Sequence, residues 1–115
     1  MHVPEAINLF LQAAADAGLA AWSGKAPEDF GSSVTSVGVA GAELRVVWDG
    51  RDGYLSVQVS HGPDSASRAG WLTLYGSKCA ATLLPEPPSR EESFHAAVEY
   101  GLELMSPGAP SRNDA

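Results

Sequence analysis

Few residues of this chain have the type and spacing that catalysis or metal binding requires. The three histidines, His2, His61 and His95, have no cysteine, second histidine or carboxylate pair at ligand spacing. His61 opens a polar loop in which Asp64 follows, so this pair is the only candidate for general acid–base chemistry, but no nucleophile motif accompanies it. A solvated loop histidine is the simpler interpretation. The sequence therefore predicts no enzyme, no metal and no cofactor.

Two further motifs resemble reactive or ion-binding sites without their full pattern. Cys79 follows Lys78, and a neighbouring cation can lower a thiol pKa, but the strand pattern turns Cys79 inward and predicts a buried structural cysteine. The segment from Asp49 to Gly53 lacks the third ligand position and the distal glutamate of a calcium loop, so it predicts a hairpin turn.

Aromatic residues and an arginine form the remaining candidate, a protein-binding surface. Tyr, Trp and Arg are the residue types that concentrate in interface hot spots. The strand patterns place two tyrosines, one tryptophan and one arginine on an open sheet face, next to the loop that begins at His61. The predicted partner-binding residues are Tyr54, Trp71, Tyr75, Arg45, His61 and Asp64. Alternatively, the aromatic pairs only stabilise a half-exposed sheet, or loops cover them.

The elements that position this surface begin with a hairpin around the loop Gly50-Arg51-Asp52-Gly53. If Asp49 pairs with Tyr54, one side of the hairpin collects only apolar side chains. These are Leu44, Val46, Trp48, Leu55, Val57 and Val59. A shift by one residue would place Val46 opposite Ser56, so the hydrophobic pattern selects the first register.

Further patterns predict the other strands and two helices. The predicted strands are Ser33–Val39, Ala42–Asp49, Tyr54–Ser60, Trp71–Tyr75 and Lys78–Leu84, with Gly76-Ser77 as a two-residue turn. Apolar residues at helical spacing predict a first helix from about Pro4 to Ala21, followed by turn formers over 22–27. Ser89-Arg-Glu-Glu92 matches a capping box that starts a second helix.

These elements predict an α+β fold in two layers. A five-stranded antiparallel meander carries the N-terminal and C-terminal helices on one face, and the opposite face stays open. The predicted single domain covers 1–106, and 107–115 is predicted to be a disordered tail.

Composition limits the classes of partner. The chain has 115 residues, with 14 acidic against 7 basic side chains and a formal charge of −7, which opposes binding to DNA or RNA. The same excess would steer a basic protein partner, although it also serves solubility. A single cysteine, no secretory signal and no apolar run long enough to span a bilayer predict a cytoplasmic protein.

In size, acidity and element order the chain resembles the small acidic bacterial immunity proteins, which neutralise a toxin by direct binding. The resemblance implies that the face with Tyr54, Trp71 and Tyr75, the acidic helix or the long loop blocks a basic toxin. The chain is also similar to the type III secretion chaperones, which are acidic α+β homodimers that bind an effector segment. That family has a helix where this chain has His61–Gly70, rich in Gly, Pro and Ser, so this resemblance ranks second.

The predicted function is therefore a non-enzymatic protein-binding module, in the form of an immunity-type inhibitor of a basic bacterial toxin. The alternatives are a chaperone-like homodimer and a small enzyme that uses His61 and Asp64.

Overall fold

The structure, a computed structural model, describes residues 1–25, 32–39, 42–61 and 71–105, with the backbone alone at 22–25, 39 and 61. Its helices and strands are α1 (Val3–Asp16), β1 (Ala21–Lys25), β2 (Ser33–Val39), β3 (Ala42–Asp49), β4 (Tyr54–His61), β5 (Leu72–Lys78) and α2 (Phe94–Met105). The strands form one antiparallel sheet in the order β1-β2-β3-β4-β5. The protein is thus α+β with an antiparallel sheet and two helices, as predicted.

The central hairpin has the predicted register. Leu44 pairs with Val59, Val46 with Val57, Trp48 with Leu55, and Asp49 with Tyr54. Five of the six apolar side chains on the inner side are fully buried, and Trp48 is partly buried against them. Burial of this row selects the register, because a slip of one residue would turn the apolar side chains of one strand to the opposite face.

Both helices cover the inner face of the sheet. α2 crosses β3, β4 and β5, while α1 packs against α2, β1 and β3. Gly101 of α2 lets the helix approach closely, since a Cβ there would lie 3.1 Å from Leu44 Cδ2 and 3.2 Å from Leu74 Cδ1. Phe10 and Ala14 of α1 are completely buried in the same core.

The first helix is shorter than predicted. It ends at Asp16, because Gly18 adopts φ 78° and Leu19 N–H donates to the Ala14 carbonyl at 2.9 Å, which closes the helix end. The prediction that the helix reaches Ala21 was wrong. Ala21–Lys25 instead forms the edge strand β1, which pairs with β2 in a segment where turn formers were predicted.

The prediction for the last two strands was also wrong. Four predicted strands correspond to β2–β5, but Gly76-Ser77 is not a turn and no strand spans 78–84. β5 continues to Lys78, which pairs with Tyr54, because β4 is long enough to satisfy the backbone of Gly76 and Ser77. The chain reverses later, at Ala81 and Thr82, where φ is 49° and 65°.

The second helix begins later than the capping box predicts. Ser89 precedes a single 3₁₀ turn, Arg90–Glu92, and its hydroxyl donates to the Glu92 carboxylate at 3.2 Å instead of accepting a backbone N–H. Ser93 caps α2, since its Oγ accepts from Ala96 N–H at 3.0 Å. The extended backbone of Ser93 turns the chain so that Phe94 enters the core.

No helix among the described residues is long and apolar enough to cross a membrane. The predicted disordered tail, 107–115, lies outside the described residues. A single domain over 1–106 and a cytoplasmic location stay predictions.

Candidate protein-interaction surface

We give the name helix-free face to the side of the sheet on which neither α1 nor α2 of the described residues packs. It is formed by alternate residues of β2–β5, which point away from the core because side chains alternate along a strand. Its described side chains include Val34, Ser36, Arg45, Val47, Tyr54, Ser56, Gln58 and Thr73. Arg45 and Tyr54 were predicted to lie on this side, and the register confirms both.

At one end of this face, Arg45 and Trp71 form a stacked pair. The Arg45 guanidinium carbon lies 3.6 Å from the centroid of the Trp71 ring, and Arg45 Nε donates to Gln58 Oε1 at 2.7 Å. Arg45 and Gln58 are direct partners across β3 and β4, so the sheet register itself brings the two side chains together. Two contacts therefore fix the guanidinium, the Trp71 ring below its plane and the hydrogen bond to Gln58 within the plane.

Partial burial affects the charge of this cluster. Burial lowers the pKa of Arg45 from its ordinary value, and the carboxylate of Glu43 acts in the opposite direction. A guanidinium stays protonated throughout the range in which proteins are folded, so Arg45 presents a fixed positive charge. Stacking on an indole is favourable for such a weakly hydrated cation.

At the other end of the face, Tyr54 lies over Gly76 of the neighbouring strand. A Cβ on Gly76 would lie 3.1 Å from Tyr54 Cζ and 3.3 Å from Cε2, so only glycine leaves room for the ring in this position. Tyr54 is nevertheless 42% exposed. It thus offers a flat aromatic surface whose position is set by the strand beneath it.

Small polar side chains surround Arg45 and Tyr54 on this face. Ser56 lies between Tyr54 and Gln58 along β4, whereas Ser36 pairs with Arg45 and Ser60 follows Gln58, and all three are almost fully buried. Within the described part of the chain, no buried side-chain nitrogen or oxygen lacks a hydrogen-bond partner. Because these side chains are short, Arg45, Trp71 and Tyr54 stand above them.

Tyr75 does not lie on this face, so the predicted placement of its side chain was wrong. A β-bulge between Val57 and Gln58 sets Val57 opposite Tyr75 and Gln58 opposite Thr73. The extra residue, Leu74, shifts the alternation, so both Leu74 and Tyr75 pack against the core. Burial accordingly raises the pKa of Tyr75 above its ordinary value of 10.0.

The other two residues that were predicted for this surface, His61 and Asp64, are not assigned to it. The backbone of His61 ends β4 opposite Ala42, whereas its side chain and all of Asp64 lie outside the described residues. The proposed acid–base pair stays a prediction. His2 and His95 are exposed beside carboxylates, with His95 Nε2 lying 3.1 Å from Glu99 Oε2.

Neither a metal site nor a reactive thiol emerges from the described residues. Over the ranges that the structure describes, no three His, Cys, Asp or Glu side chains form a group that could hold a metal ion. Cys79 is buried, as predicted, and burial raises the pKa of its thiol despite a hydrogen bond from the backbone at Leu55. A raised pKa disfavours the thiolate, so this cysteine is suited to packing.

Gln58 is the residue of this surface that the sequence prediction overlooked. The predicted register already set it opposite Arg45, so the signal was present in the pairing.

A comparison of the chain with protein-family models, curated proteins and solved structures finds no match.

Proposed function

We propose that this chain is a non-enzymatic protein-binding module that engages its partner through the helix-free face. The observation that supports this most is the Arg45–Trp71 stack, which Gln58 holds in place on a face without helices. Trp, Tyr and Arg contribute most to binding when their conformation is fixed beforehand, because less side-chain entropy is lost on association. Together with the exposed Tyr54, the stack offers two such anchors.

The partner that we propose is a basic protein, and an immunity-type inhibitor of a basic toxin is the form of this function that we favour. The supporting feature is the formal charge of −7, which accelerates encounter with a positively charged surface. Arg45 would then serve as a local exception that pairs with a carboxylate or an aromatic ring of the partner and fixes orientation.

The test compares the removal of an aromatic ring from each of the two layers of the fold. A partner captured from the native cell would be purified and titrated by calorimetry against wild type, Trp71→Ala and Tyr100→Ala. Tyr100 is the matched control, since it is 51% exposed on α2. We expect Trp71→Ala to weaken binding by about 30-fold, as for a hot-spot residue, and Tyr100→Ala to change it by less than about 3-fold.

Circular dichroism must show that both variants fold. Equal affinity of wild type and Trp71→Ala for the purified partner would refute the proposal. A homodimer of the purified chain, detected by sedimentation equilibrium and broken by Trp71→Ala, would favour the chaperone-like alternative over toxin inhibition.

A further inference from the structure

The outer edge of β5 is a second surface with unused binding capacity. β5 is the last strand of the sheet, so alternate N–H and C=O groups point away from β4. Among the described residues, no backbone hydrogen bond from another segment reaches this edge. Such an edge accepts an added strand whenever a suitable extended segment can approach it.

The bulge in β5 limits where a strand could be added. Pairing with β4 is regular from Tyr75 to Lys78 and irregular before it, next to Val57 and Gln58. A bulge twists the strand and interrupts the ladder, which protects that part of the edge. The regular stretch, Tyr75 to Lys78, therefore offers a ladder for only a short added strand.

A groove of about 330 Å³ runs beside this stretch. One wall is β5 itself, and the other is the segment that leads to α2, with Pro85, Pro87 and Pro88. Proline has no N–H, so these three residues have no backbone donor to offer the outer edge of β5. Among the described residues, the groove therefore separates this edge, where the Lys78 carbonyl accepts only from Ser77 Oγ, from a wall that offers it little pairing.

All the charged residues that line the groove are acidic. Glu86, Glu91 and Glu92 line it, and no lysine or arginine is among its lining residues. All three glutamates are exposed. A guest segment would therefore lie with one side hydrogen-bonded to β5 and with its side chains close to three carboxylates.

We propose that this groove binds an extended basic segment of a partner protein, which adds to β5 as a further strand. Backbone hydrogen bonds to β5 would supply affinity, and Lys or Arg side chains facing Glu86, Glu91 and Glu92 would supply selectivity. A second copy of this chain fits less well, because its formal charge of −7 repels the same carboxylates. The inference concerns a surface separate from the helix-free face and does not rest on the function proposed for that face.

The first experiment uses a fluorescent octapeptide of alternating lysine and valine as the probe. Its counterpart with glutamate in place of lysine tests charge. Two N-methylated versions, one for each alternate set of residues, test the backbone ladder, since only one set of N–H groups can face β5. We expect the lysine probe to bind, the glutamate probe not to bind, and only one methylated version to lose affinity. Equal binding of both methylated versions would overturn strand addition.

The second experiment locates the bound probe with a charge-matched pair of variants. Glu86→Gln with Glu91→Gln should weaken binding by about 3- to 10-fold, in the range of two partly exposed ion pairs. Asp16→Asn with Asp52→Asn removes the same charge at exposed residues that do not line this groove and should change binding by less than about 2-fold. Equal losses of probe affinity in the two variants would show that the probe responds only to the net charge of the protein, and would overturn the site.

Hydrogen exchange and one further variant complete the test. Amides of Tyr75 to Lys78 should exchange more slowly with the probe bound, and Trp71→Ala should bind the probe as wild type does. A loss of probe binding in Trp71→Ala would show that the peptide binds to the helix-free face, and would overturn the edge site. A dimer that the probe dissociates would assign the edge to a second copy and likewise overturn the proposal.

Discussion

The ring of Tyr75 meets the ring of Phe94 edge to face, with centroids 5.6 Å apart and planes at 89°. This contact joins β5 to the first residue of α2, so it closes the layer of helices over the sheet edge. It exists because the bulge before Tyr75 turns the side chain inward. Two tyrosines that pattern analysis places on one face are thus separated, with Tyr54 on the helix-free face and Tyr75 half-buried against the core.

This separation predicts opposite responses to truncation. Tyr75→Ala should lower the free energy of unfolding by about 2–3 kcal/mol, because it removes a half-buried ring and its contact with Phe94. Tyr54→Ala should cost less than about 1 kcal/mol, since its ring is largely exposed. Urea denaturation followed by circular dichroism measures both. Similar losses for the two variants would contradict the assignment of faces.

The register of the central hairpin predicts a contrast between adjacent valines. Val46 is buried and Val47 is half-buried on the other side of the same strand. Val46→Asp should unfold the protein, because an unpaired buried carboxylate costs more than about 4 kcal/mol of a total of about 5–15 kcal/mol. Val47→Asp should stay folded with a lower urea midpoint. A folded Val46→Asp would show that the core is elsewhere.

The start of α2 predicts which serine contributes to helix stability. Ser93→Ala should destabilise the fold by about 0.5–2 kcal/mol, since it removes the acceptor for Ala96 N–H. Ser89→Ala should have an effect below about 0.5 kcal/mol, because Ser89 makes only an exposed side-chain contact with Glu92. Thermal unfolding of the two variants provides the comparison, and a larger effect at Ser89 would restore the capping box as the start of the helix.

The start of α1 predicts a dependence of stability on pH. The Glu5 carboxylate accepts from His2 N–H at 2.7 Å, and this hydrogen bond is the main reason that its pKa lies below the ordinary value of 4.5. Since the folded-state pKa is the lower one, the contribution is complete above about pH 4.5 and is lost as pH falls through the folded value.

The matched variant is Glu5→Gln, which cannot titrate. Urea midpoints of wild type and variant should differ most near about pH 6 and converge towards about pH 3. A difference that stays constant over this range would show that the Glu5 carboxylate does not support the helix start.

Local pattern was sufficient for the hairpin and for the existence of both helices. The alternation on both sides of Gly50 to Gly53 favours the pairing of Leu44 with Val59, because a slip of one residue would put the apolar rows of the two strands on opposite faces. The stripe from Phe94 to Met105 likewise determines the buried side of α2. In these elements each apolar residue contributes to burial separately, so the order of residue types is sufficient to predict which side is buried.

The composition of the candidate surface depended on tertiary structure. The bulge that turns Tyr75 inward reflects the packing of Leu74 and Tyr75 beneath α2, and no pattern within β5 requires it. Gly76 continues the strand because β4 extends far enough to pair with it. The lack of a side chain at Gly76 also leaves space for the Tyr54 ring. Sequence alone determined which aromatic residues were available, whereas competition between strand pairing and helix packing decided which of them reach the surface.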